Sequence, residues 1–152
     1  MKTSAKSVLI LAALLSFGIA LLHLVIIGVG SPGYLYFGAA DMAKLSAQGS
    51  WIPALVTWGL TVVFIVFGLY ALAGAGAIRG LPFVRAGVVV IGGIYTLRGL
   101  VVALDLVRLC RGAGYPGRQT VFSAVSLGVG VMYLVGAFWW SGSTTEGSHV
   151  AG

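Results

Sequence analysis

The sequence predicts an all-α integral membrane protein, a bundle of four transmembrane helices with a short interfacial helix in the first loop, and three observations carry that expectation. Of 152 residues, 59% are hydrophobic and 8% are charged, whereas an ordinary soluble domain holds roughly a quarter charged residues. The apolar residues fall into four long blocks, each reaching the about 20 residues that a helix needs to cross a bilayer. The basic residues stand one or two at a time at the block ends, where topology and anionic headgroups call for them. One membrane domain is expected over residues 1–152.

The first span is expected at about residues 7–30, after a polar start holding Lys2 and Lys6. A secretory signal also begins with basic residues, but its apolar core runs about 7–15 residues to a small-x-small site. This block is longer and ends in Gly30-Ser31-Pro32-Gly33, so a retained helix is expected. Ser31-Pro32-Gly33 reads as a turn. Beyond it, residues 36–48 suit a short helix lying in the headgroup layer, with Phe37, Ala40, Met42 and Leu45 on its apolar face and Tyr34, Tyr36 and Trp51 as anchors.

The second span, at about 51–75, opens with Pro53 in its first turn, where the missing N–H costs nothing. A short hairpin bearing Arg79 and Arg85 leads to the third span, at about 83–109. Gly112, Gly114, Pro116 and Gly117 then forbid a helix before the fourth span, at about 119–140, which Trp139 and Trp140 close at the second interface. Residues 141–152 form a small, polar tail with no expected structure.

The formal net charge is +6. No basic patch interleaved with aromatics exists to track a phosphate backbone, so nucleic acid is not expected as a partner. Cys110 is the single cysteine, which excludes an internal disulfide. His23 and the tail residue His149 are the two histidines, so no metal site and no cofactor is expected. With three carboxylates in the chain, paired acid–base chemistry has little material, and the balance leans away from an enzyme.

The exception to the end-loading of charge is Arg98, near the middle of the third span. An ionised side chain there costs on the order of 3 kcal/mol unless it finds a partner or water, so Arg98 is expected to face the bundle interior. Tyr95 and Asp105, three residues before and seven after, complete a polar stripe on that helix. At 1.5 Å per residue, His23 on the first span reaches the level of Arg98, as do Thr57 and Trp58 on the second and Ser123 and Ser126 on the fourth. A candidate ligand-binding layer therefore comprises His23, Trp58, Tyr95, Arg98, Asp105 and Ser126, either as a polar plug tying the helices together or as a pocket toward the outer leaflet. An Arg98 that snorkels to the interface would leave no site.

Small residues recur four apart in the fourth span, as Ala124 with Gly128 and Ser126 with Gly130, beside Gly92, Gly93 and Gly99 in the third. Such spacing lets helices approach closely, within one chain or between copies. The function expected is that of a non-enzymatic accessory or assembly subunit of a bacterial inner (plasma) membrane, with both termini cytoplasmic and a second membrane protein or another copy as partner. The alternatives are a binder or carrier of a lipid, quinone or other amphipathic molecule around Arg98, and a transporter or channel subunit.

Overall fold

The computed structural model describes residues 3–111 and 117–141, without the side chains of Thr3, Asp105, Arg108, Leu109, Gln119, Trp140 and Ser141. Seven α-helices and no strand occur among the described residues. In chain order they are α1 (Thr3–Val29), α2 (Ser31–Tyr36), α3 (Ala40–Ala47), α4 (Ile52–Gly74), α5 (Val84–Gly99), α6 (Val101–Cys110) and α7 (Arg118–Ser141). Four segments are long and apolar enough to cross a membrane: Ser4–Val29, Ile52–Gly74, Val84–Leu104 and Thr120–Trp139.

These four form the bundle. α1 lies along α4 and α5 along α7, while the α1–α7 and α4–α5 contacts close the ring. The order is up-down-up-down, because Leu9 near the start of α1 meets Gly74 and Gly136 near the ends of α4 and α7, and Gly92 of α5 meets Leu134 of α7. Short connections between antiparallel neighbours favour this topology.

The inward faces of α1 and α7 are rich in small residues, and most of the large aliphatic side chains point outward. On α1 the buried line is Ala5, Leu9, Ala12, Ala13, Ser16 and Ala20, spaced three and four apart as one helical face requires. Leu11, Leu14, Leu21 and Val25 point away from the bundle. On α7 the inward line runs Ser123, Ser126, Val129, Tyr133 and Ala137. Gly130 belongs to this face, and a methyl group there would lie 2.7 Å from the Thr96 nitrogen, so close α5–α7 packing requires glycine. Of the two small-residue lines expected on the fourth span, Ser126 with Gly130 is buried, whereas Ala124 with Gly128 faces outward.

Two expectations need correction. The third span is not one continuous helix over 83–109, because Leu100 interrupts it. Ala103 N–H bonds Leu100 O at 3.0 Å, a three-residue step in place of the α-helical four. The interruption follows Gly99, where a Cβ would lie 2.5 Å from the Leu127 backbone. α7 presses against α5 at that point, and glycine both permits the contact and weakens the helix.

The first loop differs too. Ser31-Pro32-Gly33 opens a helix instead of making a turn, with proline in the first turn of α2, where it is tolerated. α3 falls inside the expected 36–48 helix; Ala43 is buried and Met42 and Leu45 are half-buried, but Ala40 is exposed. Tyr34 is buried against Ile26 and Ala43 instead of lying at the surface. Tyr36 and Trp51 are exposed. The glycine-rich 112–116 stretch and the 142–152 tail lie outside the described residues.

Candidate functional site

The polar centre of the bundle is a chain of hydroxyl groups that links all four long helices. Tyr133 of α7 donates to the Phe67 carbonyl of α4 at 2.9 Å. Its only proton is thereby used, so the Ser16 hydroxyl of α1, 2.9 Å away, donates to Tyr133. The Ser16 oxygen is then free to accept from the Tyr95 hydroxyl of α5 at 3.2 Å. The direction is fixed from α5 through α1 and α7 to α4. Tyr133 and Ser16 are wholly enclosed and Tyr95 nearly so, and no buried side-chain polar atom among the described residues lacks a partner.

Aromatic rings surround this chain. Tyr95 stacks on Tyr133 with centroids 5.7 Å apart and meets Phe67 edge-on at 5.7 Å. Phe64 lies 6.1 Å from Tyr95 and 5.0 Å from the imidazole of His23. Such offset and edge contacts favour rings with a quadrupole, and they exclude water from the hydroxyls.

At the loop-one end, α2 and α3 close over the bundle. Thr57 donates to the Tyr34 hydroxyl at 3.1 Å, and Ser31 donates to the Ala43 carbonyl at 2.9 Å. Phe37 lies 5.2 Å from Phe122 of α7. The Arg118 guanidinium sits 4.3 Å above the Tyr36 ring, a cation–π contact between the cap and the first turn of α7.

Comparison with protein families, characterised proteins and solved structures finds no match. The candidate site therefore rests on geometry alone.

Of the six residues expected in one layer, Tyr95 and Ser126 face inward, and His23 is half-buried. Ser126 bonds the Phe122 carbonyl of its own helix at 2.9 Å, and His23 Nδ1 lies 2.7 Å from the Ile19 carbonyl. Trp58 is 58% exposed. Arg98 is exposed rather than turned to the interior. Asp105 lies on α6, and its side chain is outside the described residues. A polar tie between the four helices exists, but it is built from Ser16, Tyr95, Tyr133 and the Phe67 carbonyl rather than around Arg98.

The displacement has a simple origin. α1 begins at Thr3, about four residues before the apolar block, because Ser4 and Lys6 join the helix. Every level counted from residue 7 is shifted by roughly 6 Å. The Ser16–Tyr95 contact brings Ile19, not His23, to the level of Arg98. The face differs as well, since the inward line of α5 is Val88, Ile91, Tyr95 and Gly99. Arg98 falls beside that line, next to the outward Ile94 and Leu97.

Ser16 and Tyr133 lie outside the expected layer. A signal existed in Ser16, the one hydroxyl on the alanine-rich face of α1, and in Tyr133, seven residues after Ser126 on the same face of α7. A shallow depression lined by Phe83, Val84, Arg85, Ala86, Val89 and Val90 lies on the outer side of the first turns of α5, well away from the hydroxyl chain.

Proposed function

We propose that the chain is a multi-pass membrane protein that works as a non-enzymatic accessory or assembly subunit, docking against another membrane protein through the outer face of α5 and α6. The observation that supports this reading is the exposure of Arg98 on an apolar side. Its outward neighbours are Ile94, Leu97, which is 70% exposed, Val101 and Leu104. Among the described residues Arg98 has no ion-pair partner.

A guanidinium at that depth costs on the order of 3 kcal/mol in hydrocarbon. A partner helix that offers an acceptor removes this cost, and the flanking leucines and valines supply the packing. A carrier pocket around Arg98 draws less support, because Trp58 and Arg98 face away from the enclosed Tyr95. In this reading the end bearing Lys6, Arg79 and Arg85 faces the cytoplasm of a bacterial inner membrane, since the first helix with its basic start usually dominates orientation.

Extraction of native membranes in mild detergent, with mass from light scattering and co-purifying proteins identified, tests the proposal. The expected result is a complex of defined stoichiometry that Arg98→Glu disrupts while the thermal midpoint of the isolated protein holds. A solitary monomer in native membranes would overturn it.

A further inference from the structure

The end of the bundle opposite the α2–α3 cap gathers positive charge and exposed rings. Lys6 starts α1, Arg79 lies in the α4–α5 hairpin and Arg85 in the first turn of α5, and all three are exposed. None has a carboxylate partner among the described residues, and the described acidic side chain, Asp41, is on α3 at the far end. Phe83, Phe138 and Trp139 are exposed at this same end, because α7 finishes beside the start of α1.

Phe83 stands out twice. It is 87% exposed, and it has φ 48° and ψ 37°, the left-handed backbone that a bulky residue rarely adopts. The hairpin is held to α4 by the Tyr70 hydroxyl, 3.4 Å from the Pro82 carbonyl. Beside Phe83 a shallow, mostly apolar depression over Val84, Ala86, Val89 and Val90 lies on the outer side of α5, with Arg85 in its lining. A cation beside an apolar depression matches the layout of a phospholipid with a negative headgroup.

We propose that the α4–α5 hairpin is a binding site for an anionic glycerophospholipid. Arg85, with Arg79, takes the headgroup phosphate, an acyl chain lies along Val84, Val89 and Val90, and the Phe83 ring covers it at glycerol depth. Arginine suits the phosphate because its planar fork donates two parallel hydrogen bonds. This rests on the bilayer-spanning reading above, though not on any protein partner.

The test uses the full chain in detergent, incubated with equal amounts of phosphatidylglycerol and phosphatidylcholine, with retained lipid counted by native mass spectrometry. Phosphatidylglycerol is expected to be retained preferentially. Each basic residue near an anionic surface contributes about 1 kcal/mol, so Arg79→Gln with Arg85→Gln should cut retention about thirtyfold, while Lys44→Gln at the other end leaves it unchanged. Phe83→Gly, which suits the left-handed backbone, should lower retention severalfold in a protein that still folds. Millimolar inorganic phosphate should not displace the lipid; displacement would mean an anion site only and overturn the proposal. Equal retention of both lipids, or undiminished phosphatidylglycerol in the double variant, would also overturn it while leaving the membrane reading intact. Failure to retain any lipid or to partition into membranes would count against that reading itself.

Discussion

The Ser16 hydroxyl lies 2.9 Å from the Tyr133 hydroxyl, and because Tyr133 already donates to Phe67, Ser16 can only be the donor in that pair. The order of the chain makes the three hydroxyls unequal. Tyr133→Phe removes an acceptor and a donor from the middle and leaves the Ser16 proton buried without a partner, which costs about 1–3 kcal/mol. Tyr95→Phe removes only a terminal donor, so it should cost nearer the roughly 0.6 kcal/mol average of an interhelical membrane hydrogen bond. Unfolding of purified protein in graded denaturing detergent would report the two. Equal losses would mean that the donor order is wrong.

Two glycines of α5 should respond oppositely to alanine. Gly99→Ala drives a methyl group to 2.5 Å from the Leu127 backbone, and backbone cannot turn aside as a flexible side chain can. Separation of α5 from α7 should follow, with a loss of at least about 2 kcal/mol, in the range of overpacked cores. Gly93 has nothing within 4 Å of its would-be Cβ, so Gly93→Ala should gain up to about 1 kcal/mol from helix propensity. Thermal midpoints of the two variants in one detergent check the contrast, and matching shifts would refute it.

The contrast between Gly99 and Arg98 also shows what the residues alone could tell. The second span, expected at 51–75, is observed at Ile52–Gly74, and the fourth, at 119–140, is observed at Arg118–Ser141, because apolar block length dictates helix length directly. What stayed hidden depended on register between helices. A polar residue such as Lys6 can extend a helix beyond its apolar block, and a four-residue extension is enough to exchange His23 for Ile19 at a given level. Interruption at Leu100 was equally hidden, since it depends on the approach of Leu127, a residue of another helix. Tyr95 lies inward because it continues the Val88–Ile91 line of α5, not because it shares a face with Arg98. Arg98 is exposed because it falls beside the inward line Val88, Ile91, Tyr95 and Gly99, and the cost of a buried charge does not by itself reveal which face a neighbouring helix covers.

The cap should loosen when its buried side-chain hydrogen bond to α4 is cut. Tyr34→Phe leaves the ring packed on Ile26 and Ala43 but deprives the Thr57 hydroxyl of its acceptor, at a cost of about 1 kcal/mol. Hydrogen exchange over residues 31–47 should accelerate about fivefold while exchange near Tyr133 stays unchanged. Arg118→Gln should have a smaller effect on the same segment, since a surface cation–π contact contributes about 0.5–1 kcal/mol. Acceleration spread evenly over the bundle would show that α2 and α3 are not a separate unit.

Backbone strain at Phe83 should be removable without touching the bundle. The residue holds a left-handed conformation that costs an L side chain roughly 1–2 kcal/mol, and it precedes α5 without a side-chain cap for the free N–H groups of the first turn. Asparagine tolerates this backbone and can accept from those N–H groups. Little packing is lost, because the ring is almost wholly exposed. Phe83→Asn should therefore stabilise the protein by about 1 kcal/mol, whereas Phe83→Val, whose branched Cβ crowds the left-handed backbone further, should destabilise it by a similar amount. Thermal denaturation of the pair in detergent decides the matter: were asparagine and valine to behave alike, the strain would not lie at this residue.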